Sequence, residues 1–101
     1  MNVAGKGLVV FTACSHAGVV NVLKDARGKF AGTPLHCAMG GLHLSGPTEK
    51  IIPETVAALR EFELAYIAAG HCTGWRAMTA LVNTFGDQKV TPTAVGKRFV
   101  F

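Results

Sequence analysis

The sequence predicts an α/β fold. Three observations carry that prediction: short apolar runs suited to buried strands, amphipathic helical patterns between them, and histidines standing just beyond the ends of the runs. Residues 8–13, LVVFTA, are β-branched and aromatic without alternation, as in a strand buried on both faces. The overlapping stretch TACSHAGVVN then places Cys14, Ser15 and His16 together at a strand-to-helix turn. Val19, Val20, Val22, Leu23 and Ala26 recur at helical spacing, and Gly28 is the expected stop.

A second apolar run, LHCAM at 35–39, ends in Gly40-Gly41, where the chain must turn or approach something closely. After the loop GLHLSGPTEK, Pro53 suits a first helical turn, with Glu54 near the positive end of the helix. Val56, Leu59 and Phe62 form its inward stripe, and the helix is expected to end near Glu63. AYIAA, residues 65–69, reads as a third strand closed by GHCTG. Thr73 is the expected N-cap of a helix carrying Met78, Leu81, Val82 and Phe85, which Gly86 stops. The tail, Val90 and then AVGKRFVF, reads as one or two terminal strands separated by Pro92.

At 101 residues the chain is a single unit, 1–101, with no internal repeat or linker. Half its residues are apolar and only 16% are charged, against about 25% in an ordinary soluble domain. So little polar material predicts a partner that covers part of the surface. The net charge of +4 comes from scattered Lys and Arg, not from a stripe, which argues against nucleic acid. Three cysteines without regular spacing argue against a disulfide framework and for a reducing, cytoplasmic setting. No apolar run approaches the ~20 residues of a membrane span, so no membrane is expected.

His16 and His71 each fall just past the carboxyl end of an expected strand, and His43 lies a little beyond another. α/β proteins place ligands at those ends, and neutral imidazole is the commonest borderline metal ligand. These three histidines are therefore candidates for one metal site, while His36, inside its strand, reads as a core or edge histidine. A structural zinc site built from Cys14, His16, His36, Cys37, His71 and Cys72 is disfavoured. Its C-x-H and H-C pairs are not the usual short clips, and neighbours on a strand point to opposite faces. A nucleophile elbow at Cys14 or Ser15 is disfavoured too, because Ala13 and Ala17 stand where glycine is needed. The glycine turns match neither a P-loop nor a dinucleotide fingerprint.

Taken in order, C-S-H-A-G-x-x-N, G-G-x-H-L, H-C-T-G and TAVGKRFVF resemble the C-terminal half of a metallo-β-lactamase-fold hydrolase. In particular they resemble the dihydropterin-ribofuranosyl-aminobenzene-phosphate synthase-like subgroup. That resemblance implies half of an αββα sandwich, a mixed sheet with helices on its outer face. It implies His16 and His71 as metal ligands, with His43, Ser15 and Thr73 as substrate or supporting contacts. Lys97 and Arg98 become candidate anion contacts. The implied cofactor is a divalent metal, zinc first and manganese or iron as alternatives, with up to two ions in the complete fold.

The H-x-H-x-D-H signature of the family's N-terminal half is absent from this sequence. The expected partner is accordingly a second copy of the chain or a separate chain supplying that half. The expected function is a metal-dependent hydrolase or transferase component, using metal-activated water on a small, phosphorylated or pterin-like molecule. The alternative is a non-catalytic remnant or subunit that associates through its exposed sheet.

Overall fold

The computed structural model describes residues 1–101 as one sheet under one layer of helices. Five strands lie in the order of the chain: β1 (Asn2–Val3), β2 (Gly7–Thr12), β3 (Leu35–Gly41), β4 (Tyr66–Gly70) and β5 (Val90–Pro92). β1 pairs antiparallel with β2, and every later pairing is parallel, so the sheet is mixed. Helices α1 (Val19–Lys29), α2 (Ile52–Leu59) and α3 (Trp75–Phe85) make the crossovers. Parallel crossovers are right-handed as a rule, so strands that add in one direction collect their helices on one face. α2 accordingly touches both α1 and α3.

The core follows from that layering. Val10, Ala38, Ile67 and Val90 share one register row, and all four pack into or against the main apolar cluster. Leu23 of α1, Val56 and Leu59 of α2, and Ala77 and Leu81 of α3 meet them there. The neighbouring row, Phe11, Met39, Ala68 and Thr91, points to the other face because side chains alternate along a strand. On that side Phe11 is 57% exposed, while Ala68 of the same row is fully buried.

The expected elements are all present, with differences at their ends. Gly28 does not stop the first helix, which runs to Lys29. The second ends at Leu59 in a 3₁₀ turn, Arg60–Phe62, and Glu63 closes it in the left-handed region. Thr73 caps nothing: Gly74 holds the N-cap position of α3, while the Thr73 hydroxyl donates to the Gly70 carbonyl. Only Val90–Pro92 of the tail is a strand, and β1 escaped the sequence reading because two residues carry no periodicity. No helix is long and apolar enough to cross a membrane.

Candidate metal centre

Parallel strands in one register end together, so the residues following β2, β3 and β4 meet at one edge. Polar side chains tie these ends to one another. The Ser15 hydroxyl donates to the Gly41 carbonyl at 2.7 Å, which leaves Thr12 to donate to Ser15 at 2.9 Å. The Leu42 N–H donates to the Thr73 hydroxyl at 3.1 Å, and that hydroxyl donates in turn to Gly70 at 2.7 Å. Ser15 is buried and Thr73 has no exposed surface at all. Both hydroxyls are thus committed to holding the strand ends, β2 to β3 and β3 to β4.

Above these clamps stand the histidines. The rings of His16 and His43 lie 4.3 Å apart, centroid to centroid. His71 lies with a different group, beside Cys14 and Cys72. Two trios result, Cys14-His16-His43 and Cys14-Cys72-His71, each with its donor atoms within 4.8 Å of one another and both sharing Cys14. The Cys14 sulfur is 3.6 Å from His43 Nδ1 and 2.8 Å from the Cys72 sulfur. The hydrogen bond that the Cys14 thiol donates to the Cys72 sulfur holds its pKa above the ordinary value, and burial and the neighbouring Cys72 charge push the same way. The donor set, imidazole and thiol within 4.8 Å of one another, fits a divalent transition ion.

Three residues at this edge adopt left-handed backbone without being glycine: Ser15 (φ 52°), His43 (φ 53°) and His71 (φ 51°). Such conformations cost of order 1 kcal/mol or more and persist only where surrounding structure enforces them. Here the strand-end clamps do so. Gly41 completes the fit, because a Cβ at that position would lie 2.8 Å from the Cys72 sulfur and 2.5 Å from the Ala13 carbonyl oxygen.

Cys14 and Cys72 are donors that sequence spacing alone disfavours. The alternation rule was misplaced for them: Cys14 lies in the turn after β2, and His71-Cys72 lie in a 3₁₀ turn. Their one sequence signal was position, each beside a histidine at a strand end. Cys37 lies within β3 and is fully buried, with its thiol pushed up to about 11 by desolvation against a backbone hydrogen bond that lowers it. Lys97 and Arg98 line a separate cavity with His36 and Tyr66, toward the amino-terminal ends of β3 and β4. Beside His16 and His43 a cavity of about 330 Å³ opens between the start of α1 and the segment Gly46–Ile51, lined also by Asn21, Thr48 and Thr55.

No family model matches the sequence. Over 85 residues, 84% of this chain and 29% of the relative, it is 31% identical to a Methanocaldococcus jannaschii enzyme. That enzyme is 7,8-dihydropterin-6-methyl-4-(beta-D-ribofuranosyl)-aminobenzene-5'-phosphate synthase. The fold superposes on a crystal structure of a metal-dependent hydrolase of the β-lactamase superfamily with a TM-score of 0.86 and 31% identity. That match covers 96% of this chain and 37% of the hydrolase, so the chain spans well under half the length of either protein. In sequence and in fold alike, the chain resembles a metal-dependent hydrolase of the β-lactamase superfamily and corresponds to one half of that fold.

Proposed function

We propose that this chain is the metal-holding component of a β-lactamase-superfamily hydrolase or transferase acting on a small, phosphorylated or pterin-like substrate. The observation that supports it best is the gathering of imidazole and thiol donors at the carboxyl edge of β2, β3 and β4. His16 and His71, one from each trio, would each help to hold a divalent ion, zinc before manganese or iron, with up to two ions in the complete fold. When bound, such an ion supplies Lewis acidity and brings the pKa of coordinated water toward ~7.

The chain's own residues position and shield the reacting groups. Ser15 and Thr73 fix the strand ends that present His16 and His71. His43, in reach of both His16 and the adjoining cavity, orients substrate or a ligand's second nitrogen. That cavity, lined by apolar side chains with Asn21, Thr48 and Thr55, is the place for the organic part of the substrate. Three free cysteines suit a reducing cytoplasm.

The remaining catalytic groups come from a partner, a second copy or a separate chain. The exposed part of the sheet face around Phe11 is the surface for it. The same face favours a second reading, a non-catalytic subunit that associates through its sheet. The test is phosphodiester turnover by the zinc- or manganese-loaded chain, fractionated by native mass. Turnover in a defined oligomer, lost in His16→Ala and His71→Ala, supports the enzyme. A metal-loaded, well-folded oligomer without turnover, both alone and mixed with a chain that carries the H-x-H-x-D-H half, supports the second reading.

A further inference from the structure

The two trios contain no carboxylate, and charge makes that important. Neutral imidazoles bring no negative charge to a dication, and the chain as a whole is already at +4. The groups in the cluster that can supply negative charge are Cys14 and Cys72. Their sulfurs face each other at 2.8 Å, and Cys72 accepts a hydrogen bond from the His43 backbone N–H at 3.2 Å. An N–H aimed at sulfur favours the thiolate and orients it. Gly41 leaves the space that the Cys72 sulfur occupies.

From this we propose that Cys14, Cys72 and His71 form a thiolate metal site that this chain holds by its own residues, with His43 or water as the fourth donor. The proposal rests on the reading of this edge as a metal centre, and on no reaction. Binding releases two protons: two thiols and a dication give a bis-thiolate complex and two protons, with no change of oxidation state. Zn–S bonds of ~2.3 Å in a tetrahedral site hold two sulfurs roughly 3.8 Å apart. The pair therefore opens by about 1 Å as the ion enters. Thiolate donors select zinc over manganese or magnesium, because soft ligands prefer the softer ion.

The experiment is cobalt(II) titration of the reduced full chain without oxygen, followed in the near ultraviolet and visible. A sulfur-to-cobalt charge-transfer band is expected. It should be lost in Cys14→Ser and Cys72→Ser and kept in Cys37→Ala. X-ray absorption of the zinc-loaded wild-type chain tests the same point with no variant, through a sulfur shell at ~2.3 Å. Visible cobalt bands without the charge-transfer band, sensitive to His16→Ala, overturn the thiolate site and leave the histidine metal centre standing. Absence of any cobalt spectrum from the folded chain overturns both. Thiol counting that finds Cys14 and Cys72 joined as a disulfide, with no band after reduction, overturns the proposal in favour of a redox pair.

Discussion

The layer between helices and sheet and the carboxyl edge of the same strands obey different rules. In the layer, seventeen buried apolar residues pack without a buried side-chain polar atom lacking a partner. At the edge, three non-glycine residues hold left-handed backbone, two hydroxyls are committed to clamps, and two thiols and three imidazoles crowd together. The interior maximises burial, whereas the edge gives up local comfort to bring polar donors within bonding reach. The edge therefore depends on the layer: strained conformations persist only when better-packed structure enforces them.

The contrast is broken hardest from the interior. Leu81 is fully buried on α3, so Leu81→Ala removes its contacts and leaves a cavity, at a cost of about 2–5 kcal/mol. Urea unfolding measures that loss, and the cobalt spectrum of the fraction still folded should be unchanged. A spectrum altered in the folded fraction would show the two regions to be less separable than described.

pH separates the buried cysteine of the layer from those of the edge. Burial holds the Cys37 thiol at about 11, above an ordinary value of 9.0. The unfolded chain therefore loses that proton first, and the stabilising contribution is complete below pH 9, declining as pH rises to about 11. The two-unit difference corresponds to roughly 3 kcal/mol. Stability followed by denaturant from pH 8 to 11, wild type against Cys37→Ala, should show a steeper decline in the wild type. Equal slopes would mean that Cys37 is more hydrated than its place in β3 implies.

The smallest effect has the opposite sign. His71→Gly relieves left-handed strain at the edge and should raise thermal stability, by about 1 kcal/mol, while weakening metal binding. A variant that loses both would show that the His71 side chain contributes packing as well as a donor.

Much of the architecture was legible because the layer is written in period. Val19 and Leu23 at helical spacing, and LVVF as an unbroken run, can form little else. The histidines at strand ends were legible as positions, since topology alone brings parallel strand ends together. The sulfur pair was not, because it depends on turn geometry: a left-handed His71 and a side-chain-free Gly41 set Cys72 against Cys14, and neither leaves a trace in spacing. Thr73 misled for a related reason. A capping hydroxyl must accept a backbone N–H of its helix, and the Thr73 oxygen already accepts the Leu42 N–H while its proton goes to the Gly70 carbonyl.

The sheet has one more property, its strict agreement between chain order and strand order. Each strand finds its neighbour already in place when it emerges during synthesis, and no later segment must thread between two earlier ones. The donors arrive in the same sequence: Cys14 and His16 after β2, His43 after β3, and His71 with Cys72 only after β4. A nascent chain still short of residue 71 thus holds one trio and lacks the other. Tight metal capture becomes a timestamp, marking the moment at which the fourth strand has docked.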